Sequence, residues 1–303
     1  MNTTKTVLIT GASSGIGKII AEYLHQKGYA VYGTSRKPLT SSTISEANPK
    51  LQESTSSDVA NRHIAKTENL QSSTQSGFKL FPLDVTSDTS VAQLMETLKS
   101  QGISIDVLIN NAGYGLAGPL ENFTLDEAKA QFETNFFGVV RMVSAFLPVM
   151  RKQGGGLIIN VGSMAGLIGL PFQGHYSASK YALEGYLAAL RMEVLPFNIK
   201  VFNVNPGDFS TGFTANRRII GTVDAVYQKK FDQLLKMYEH DEINGAQPIL
   251  IARKVEKLLR KSGSYNMRYV IGKFDQVIGV PVKRLLGDTL FEKLMMVFWK
   301  IKD

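Results

Sequence analysis

Tyr176 and Lys180 are the residues of this sequence whose types and spacing most directly suggest chemistry. Positions four apart on a helix share one face, so the Tyr176 phenol and the Lys180 ammonium can point into one space. A phenol has an unperturbed pKa near ~10, and a cation held beside it lowers that pKa. If the Ser163 hydroxyl holds a carbonyl oxygen nearby, the phenol can give or take the proton. The predicted chemistry interconverts an alcohol and a ketone, provided that a second molecule supplies hydride.

The Tyr-x-x-x-Lys spacing alone has little specificity, because the chain repeats it at Tyr23/Lys27 and Tyr269/Lys273. The pair at 176 and 180 differs from the other two in its surroundings. It follows a serine that lies at the end of a predicted strand, and it lies on a predicted helix. Position rather than spacing therefore identifies this pair as the candidate active site.

The elements that position these residues follow an alternating pattern. Short β-branched runs alternate with helical patterns, which predicts a doubly wound α/β fold with about seven mainly parallel strands and helices on both faces. The predicted strands span 6–10, 30–34, 79–83, 107–110, 157–161, 200–204 and 268–271. The predicted helices include 15–27, 89–100, 125–152 and 175–196, and a capping box formed by Thr124 and Glu127 opens the third of these.

A glycine-rich turn connects the first predicted strand to the first helix. Glycines allow a tight turn and a close approach of the backbone to a pyrophosphate, whose charge then rests on the N–H groups of the helix start. The spacing is G-x-x-x-G-x-G, which departs from the usual dinucleotide fingerprint. The cofactor-binding residues predicted in this turn are Gly11, Ser13, Ser14, Gly15, Ile16 and Gly17.

The residue after the second predicted strand indicates which dinucleotide binds. An acidic residue there suits the ribose hydroxyls of NAD, whereas Arg36 suits the 2′-phosphate of NADP. NADP(H) is favoured over NAD(H), although Arg36 as a solvated loop cation is the alternative. Asp84 and Val85, after the third strand, are predicted near the adenine, with Asp84 as a helix cap being equally plausible. After the fourth strand, the predicted cofactor cleft is lined by Asn111, Ala112 and Gly113.

Composition limits the remaining classes. The chain has 303 residues and no cysteine, which excludes thiol nucleophiles and disulfides, and its start has no signal-peptide pattern. A cytoplasmic protein without a metal site is expected.

The net positive charge is concentrated in the last third of the chain. Residues 201–303 hold 17 Lys/Arg against 11 Asp/Glu, but no nucleic-acid-binding module accompanies this charge. The basic run at 253–261 is interpreted as the solvated face of a helix, with a membrane surface or an acidic ligand as alternatives.

Two segments depart from the alternating pattern. Residues 40–76 contain 14 Ser/Thr and are interpreted as a polar surface insertion. The predicted catalytic domain spans 1–246, and residues 247–303 form a C-terminal helical extension or substrate lid of the same domain. The extension ends in an apolar stripe from Leu290 to Trp299. This stripe is interpreted as core or interface, with a substrate lid or a membrane-dipping helix as alternatives.

These motifs occur in one order and together resemble the short-chain dehydrogenase/reductase family over about residues 5–212. The resemblance implies a Rossmann-like single domain in which Asn135, Ser163, Tyr176 and Lys180 are the catalytic residues. Asn135 would hold a water in a proton relay, although a hydrogen-bonded core asparagine is the alternative. Tyr176 and Lys180 would also contact the cofactor. The loop beside the nicotinamide would contain Pro206, Gly207 and Thr211.

Within this family, the stretches 34–36 and 178–185 and the long C-terminus resemble the 17β-hydroxysteroid and retinol dehydrogenase branch. This implies a small hydrophobic carbonyl or alcohol substrate, with Phe209 and Phe213 near the expected pocket. The helices at 125–152 and 175–196 resemble those that pair between subunits, which implies a homodimer or homotetramer. The alternative function is a catalytically inactive NADP(H)-sensing or interaction protein with the same fold.

Overall fold

The computed structural model describes residues 4–36, 77–211, 217–261, 263 and 265–301. The predicted polar insertion at 40–76 and Phe213 therefore lie outside the described residues. The strands are β1 (Thr6–Ile9), β2 (Ala30–Ser35), β3 (Lys79–Pro82), β4 (Val107–Asn110), β5 (Leu116–Ala117), β6 (Gly156–Val161), β7 (Ile199–Pro206), β8 (Arg218–Ile219) and β9 (Arg268–Ile271).

Seven of these strands form one parallel sheet in the order β3-β2-β1-β4-β6-β7-β9. In the described part of the chain, β1 pairs with β2 on one side and with β4 on the other. The sheet order reverses between β1 and β4, so the loops after these two strands diverge and leave a crevice at their carboxyl ends. The predicted doubly wound, seven-stranded single domain is confirmed.

The helices cover both faces of this sheet. Their bounds are α1 (Gly15–Gln26), α2 (Asp88–Ser100), α3 (Leu125–Phe132), α4 (Gly138–Lys152), α5 (Gly174–Val194), α6 (Ala225–Ile243), α7 (Ile249–Arg260) and α8 (Phe274–Phe298). The predicted capping box is present at the start of α3, where Thr124 and Glu127 exchange hydrogen bonds. Among the described helices, none is both long and apolar enough to cross a bilayer.

Side chains of the central strands alternate between two apolar clusters, one on each face of the sheet. Val7 and Ile9 of β1 pack into the cluster that also contains Ile20 of α1 and Val255 of α7. Leu8, between them, packs on the opposite face with residues of α4 and α5. Because both faces of β1 are buried, its sequence is a continuous apolar run. This burial holds the end of β1, and the turn that follows it, in a fixed place.

The helix predicted over 125–152 is interrupted. A π-helix at Glu133–Phe137 separates α3 from α4. A π-helix contains an additional residue in one turn, and such turns occur often at functional sites. The prediction of one continuous helix is wrong because the apolar pattern continues on both sides of this one-turn insertion. The insertion turns Asn135 inward, where it is buried.

The C-terminal extension joins the main body in two ways. β9 pairs with β7, and α7 buries Ile251, Val255 and Leu258 while exposing Arg253 and Lys257. The interpretation of the basic run as the solvated face of an amphipathic helix is therefore confirmed.

The apolar stripe at the end of the extension, on α8, is divided between two environments. Phe291 and Trp299 pack into a third cluster beside Leu234 and Ile168. In contrast, Leu290, Leu294, Val297 and Phe298 are exposed. α8 is interrupted at Gly287, whose backbone angles (φ 70°, ψ 170°) are not helical. In the part of α8 after Gly287, one side therefore belongs to the core and the other side is left uncovered.

Candidate active site

The turn after β1 forms the phosphate end of the site. Gly11 and Gly15 adopt φ angles of 66° and 54°, a region that residues with a Cβ atom avoid. A Cβ atom on Gly17 would lie 2.3 Å from Asn111 Nδ2. The Ser14 side chain makes no cap hydrogen bond, and the first turn of α1 holds no acidic residue. The start of α1 therefore presents its N–H groups and positive dipole end to an anion, which fits a dinucleotide pyrophosphate.

All six residues predicted in this turn lie together at the carboxyl end of β1. Ser13 and Ser14 are exposed, and Ile16 is half-buried at the start of α1. An exposed turn above a buried strand end leaves room for a ligand to lie against the backbone.

Asn111 ties this turn to the end of β4. Its Nδ2 donates to the carbonyl oxygens of Thr10 and Gly11 at 2.9 and 3.1 Å. In return, Thr10 Oγ1 accepts the backbone N–H groups of Asn111 and Ala112 at 2.9 and 3.0 Å. The stretch from Asn111 to Gly113, predicted to line the cofactor cleft, thus lies beside the glycine turn where the sheet order reverses.

Asp84 shapes the loop after β3. Its Oδ1 accepts the backbone N–H of Thr86 at 2.9 Å and the Thr86 hydroxyl at 2.8 Å. These bonds, with a smaller contribution from the nearby charge of Arg36, lower the pKa of Asp84. The helix-cap alternative is wrong, because Ser87 is the N-cap of α2 and accepts the backbone N–H three residues on. Val85 is buried next to Asp84.

Arg36 directly follows β2 and is exposed. Burial raises the pKa of Tyr114, and the charge of Arg36 partly offsets this rise. Because Arg36 also lowers the pKa of Asp84, its guanidinium lies near the loops after both β3 and β4. This places Arg36 on the same edge of the sheet as the glycine turn.

Tyr176 and Lys180 lie one turn apart on the buried face of α5, and Ser163 follows β6. The Tyr176 and Ser163 side chains are hydrogen-bonded. Lys180 Nζ donates to the carbonyl oxygen of Val161 at 3.2 Å and lies 5.9 Å from the centre of the Tyr176 ring. The structure therefore brings together three of the four predicted catalytic residues at the carboxyl end of β6.

Burial determines the electrostatics of this group. It raises the pKa of Tyr176 to about 12, although the hydrogen bond with Ser163 acts in the opposite direction. Burial also lowers the pKa of Lys180 to about 8. The side chains that act on the pKa of Tyr176 besides burial are Ser163, Glu242, Arg217 and Asp208, and the expectation that Lys180 lowers this pKa remains a prediction.

Asn135, the fourth predicted catalytic residue, lies in the π-helix. Its Nδ2 donates to the carbonyl oxygen of Tyr114 at 3.0 Å and to Ser179 Oγ at 3.2 Å. Its Oδ1 accepts the backbone N–H of Tyr114 at 3.1 Å. These bonds correspond to the core-asparagine alternative, and they connect the loop after β4 to α5. The proposed role of Asn135 in a water relay remains a prediction.

The loop after β7 contains the residues predicted beside the nicotinamide. Pro206 ends β7, and the Gly207 backbone N–H donates to Ile271 at 2.8 Å. A Cβ atom on Gly207 would lie 2.2 Å from Gln276 Oε1, so a larger residue here would displace the Gln276 side chain. Thr211 is the last described residue before a gap. Phe209, expected near the substrate pocket, is instead buried in the apolar cluster under α7.

A charged group beside Tyr176 was not predicted from the sequence. Arg217 and Glu242 form a buried ion pair, and the charges of both residues and of Asp208 influence the pKa of Tyr176. Burial, with the charges of Glu242 and Asp241, raises the pKa of Asp208 to about 6. Of these charged residues, only Asp208 could have been recognised from the sequence, because it directly follows the Pro206-Gly207 motif. Residues 217 and 242 lie in segments with no local motif.

No histidine joins this site within the described residues. The His175 ring packs edge-on against Phe123 at 5.0 Å between centroids, and burial lowers its pKa. The His175 ring therefore packs against Phe123 and not in the group around the neighbouring Tyr176. In the part of the chain that the structure describes, no cluster of three or more acidic or histidine side chains is arranged to hold a metal ion.

Comparison with known proteins identifies the family to which this chain belongs. A sequence model described as short chain dehydrogenase matches residues 5–66 and 51–219. The chain belongs to the short-chain dehydrogenase/reductase family, and it is an oxidoreductase that acts on CH–OH or C=O groups.

Two curated relatives represent two substrate classes. A 3-ketodihydrosphingosine reductase of Bacteroides thetaiotaomicron is 40% identical over 299 residues, which cover 98% of each chain. Human retinol dehydrogenase 8 is 39% identical over 212 residues, which cover 69% of this chain and 60% of that protein.

Solved structures show the same fold. A short-chain dehydrogenase from Streptomyces avermitilis superposes with a TM-score of 0.74 and 26% identity, covering 99% of this chain and 97% of the other. An alcohol dehydrogenase from Thermococcus sibiricus, complexed with 5-hydroxy-NADP, has a TM-score of 0.63 and 25% identity, covering 89% and 97%.

Proposed function

We propose that this protein is an NADP(H)-dependent reductase that converts the ketone of a long-chain amino ketone into an alcohol. The observation that carries this proposal is the hydrogen bond between the half-buried Ser163 and the buried Tyr176, with Lys180 one turn away. The reductase from Bacteroides thetaiotaomicron, which matches nearly the whole chain, supports the substrate class.

Each reacting side chain has a proposed role in this reduction. Ser163 Oγ accepts the Ala165 backbone N–H at 3.1 Å, so its own proton is directed toward a substrate oxygen or Tyr176. Tyr176 is the general acid that protonates the oxygen on which negative charge develops. A pKa of about 12 keeps Tyr176 protonated at neutral pH, which suits a proton donor. A pKa of about 8 leaves Lys180 mostly charged at neutral pH, so it can supply the proton that Tyr176 has given up.

The residues around the crevice fit a nicotinamide dinucleotide. When bound, this cofactor supplies the hydride that amino-acid side chains cannot provide. Arg36 would grip the 2′-phosphate of NADP, and no carboxylate follows β2 to favour NAD. The NADP-type ligand of the Thermococcus sibiricus structure supports this preference. The other residues that would hold the cofactor are Gly11, Ser13, Ser14, Gly15, Ile16, Gly17, Asp84, Val85, Asn111, Ala112, Gly113, Tyr176, Lys180, Pro206, Gly207 and Thr211.

The acidic residues near Tyr176 favour an amino ketone over a purely apolar ketone. In 3-ketodihydrosphingosine, an amino group and a hydroxyl group neighbour the ketone at the head of a long alkyl chain. Arg217 balances the charge of Glu242, but the partly buried Asp208 adds a negative charge close to Tyr176. A substrate ammonium would offset that charge. A retinoid or steroid, the substrate type of the 17β-hydroxysteroid and retinol dehydrogenase branch, offers no cation there.

A substrate panel tests this function. Purified protein would be mixed with NADPH and 3-ketodihydrosphingosine, its N-acetyl derivative, retinal or a steroid ketone, and NADPH consumption measured. The free amine should have a kcat/KM about tenfold above the N-acetyl form, as one charge-assisted contact provides. Asp208→Asn should remove this preference, whereas Asp232→Asn, on the exposed side of α6, should leave it unchanged.

Two outcomes would contradict the proposal. A preference for retinal or the steroid would assign the protein to the second substrate class. No NADPH consumption with any carbonyl, with Tyr176→Phe equal to the original protein in every assay, would favour the catalytically inactive NADP(H)-binding alternative.

We also propose that the uncovered side of α8 contacts an anionic lipid surface. The exposed apolar residues of this side, after the interruption at Gly287, are Leu290, Leu294, Val297 and Phe298. Residues 247–303 hold 12 Lys/Arg against 5 Asp/Glu, so positive charge accompanies this apolar side. Contact with lipid would bring the site close to a substrate that resides in membranes.

A second copy of the chain is the proposed partner at α4 and α5. Members of this family are typically oligomeric, and the end of α5 exposes Met192, with Leu195 and Phe197 in the turn that follows. Exposed large apolar side chains in one region are typical of an interface. A homodimer or homotetramer is expected in light scattering after size exclusion.

A further inference from the structure

Glu184 is a buried carboxylate on α5, one turn beyond Lys180, and is only 6% exposed. Its Oε1 accepts the Nδ2 groups of Asn203 and Asn205 at 2.7 and 2.6 Å. Its Oε2 accepts Arg268 Nε at 2.6 Å. A buried carboxylate is costly unless such partners surround it, so these four side chains hold one another in place.

Asn205 connects this cluster to the active site. Its Oδ1 accepts the backbone N–H of Ser163 at 3.1 Å. The Asn205 amide lies directly beside Gly162. A Cβ atom on this glycine would lie 2.0 Å from Asn205 Oδ1. Gly162, directly after β6, therefore has no room for a side chain, because the amide of Asn205 and, slightly further away, that of Asn203 occupy the space. A chain of contacts leads from Glu184 through Asn205 to Ser163.

The direction of the Asn205 amide depends on Glu184. An amide group has a donor end and an acceptor end, and rotation by half a turn exchanges them. An ionised carboxylate only accepts hydrogen bonds, so Glu184 requires the NH2 end of Asn205. The oxygen end must then face Ser163, whose backbone N–H needs an acceptor. Without the carboxylate, the reversed amide would place a donor against the N–H of Ser163.

We propose that Glu184 is a positioning residue that fixes the Ser163 hydroxyl by orienting the Asn205 amide. The inference rests on the proposed function, because Ser163 is taken to hold the substrate oxygen. Small displacements of such a group weaken its contact with the developing charge in the transition state. Glu184 therefore acts on the reaction rate through Ser163, without contacting the substrate.

Asn203 provides a matched control for Asn205. Both asparagines lie on β7, are fully buried and donate to the same Glu184 oxygen, but only Asn205 accepts a bond from Ser163. Asn205→Ala should lower kcat by about tenfold or more and leave the Kd for NADPH within about twofold. Asn203→Ala should leave kcat within about twofold, with a comparable loss in melting temperature.

A double-mutant cycle tests Glu184 itself. Glu184→Gln should lower kcat about tenfold at unchanged NADPH affinity, yet cause no further loss when Asn205→Ala is present. If Glu184→Gln does not fold, Glu184→Asp replaces it, because the shorter carboxylate keeps the charge but moves away from the amide.

Equal losses of kcat for Asn203→Ala and Asn205→Ala would overturn the inference. So would a double variant of Glu184→Gln and Asn205→Ala whose loss of kcat is the product of the two single losses. Either result would leave Glu184 with a structural role only. The original protein would still reduce its substrate in either case. Absence of reductase activity in the original protein would instead contradict the proposed function.

Discussion

Burial sets the proton affinities of the two reacting side chains. Tyr176 and Lys180 are both almost fully removed from water, so the charged form of each is disfavoured. The pKa of Tyr176 rises to about 12 and that of Lys180 falls to about 8. At neutral pH the phenol is protonated and the amine is mostly charged, which is the state that the proposed reduction requires.

Lys180→Met should stabilise the protein while abolishing its activity. The folded pKa of about 8 is below the ordinary value of 10.5, so burying the charge costs stability fully below pH 8, and this cost disappears as pH rises to 10.5. The original protein should therefore gain stability above pH 8, and the variant should not. At neutral pH, the variant should be more stable by about 1–3 kcal/mol.

Thermal unfolding at about pH 7 and pH 9.5 measures this effect. Lys229→Met, at an exposed position of α6, is the control and should leave both melting temperatures unchanged. A variant that is less stable at neutral pH would show that the hydrogen bond from Lys180 to Val161 outweighs the cost of burial.

Arg36→Ala should weaken binding of NADPH while sparing NADH. The guanidinium is exposed beside the glycine turn, where it can bind a phosphate bidentately. The Kd for NADPH, measured by fluorescence titration, should rise about tenfold or more. Lys18→Ala removes another exposed cation near the turn, on α1, and should affect both cofactors little. An unchanged preference after Arg36→Ala would show that another group recognises the 2′-phosphate.

At the scale of elements, the sequence predicts best what depends on local pattern. The strands at 107–110 and 268–271 have the predicted bounds, because apolar runs between turn residues define them. The π-helix at 133–137 could not be predicted, since one added residue leaves the apolar pattern on each side intact. The ion pair between Arg217 and Glu242 forms only when distant segments fold together, so no spacing indicates it.

Gly17→Ala should disrupt the first turn of α1 and the cofactor site together. The added Cβ atom would lie 2.3 Å from the Asn111 amide and 2.4 Å from the Gly11 carbonyl oxygen, so the turn must move. We expect the Kd for NADPH to rise at least about tenfold, because the helix start no longer meets the pyrophosphate. Isothermal titration would measure it.

Gly185→Ala, in the interior of α5, is the matched control for this substitution. No atom lies within 4 Å of its added Cβ, so this variant should gain about 0.5–1 kcal/mol of stability and bind NADPH normally. Normal NADPH binding by Gly17→Ala would show that the turn tolerates the displacement.

At the scale of the whole molecule, charge and exposed apolar surface concentrate in the same region. The extension after residue 246 carries most of the net charge of +8, and the uncovered side of α8 adjoins it. The other side of α8 closes the third apolar cluster around Phe291. Exposed apolar residues next to an excess of positive charge are a combination that anionic lipid surfaces bind.

The double variant Val297→Ser and Phe298→Ser should weaken binding to vesicles that contain anionic lipid. Both side chains are exposed, so folding should be little affected. Flotation with phosphatidylglycerol vesicles should recover the original protein with the lipid and leave the variant behind. Val226→Ser, at an exposed apolar position of α6, should float normally. Equal failure of all three proteins to float would refute the membrane contact and leave another chain as the partner of α8.

The packing of α7 against α1 also has a consequence for biosynthesis. The outer side of α1, which includes Ile16 and Ile19, is covered by residues of α7 from the last fifth of the chain. Lys5, near the start of β1, likewise donates to Leu259. During translation α1 therefore lacks this cover until α7 has left the ribosome, long after Tyr176 and Lys180 have emerged. We expect the nascent chain to expose the apolar side of α1 over that interval.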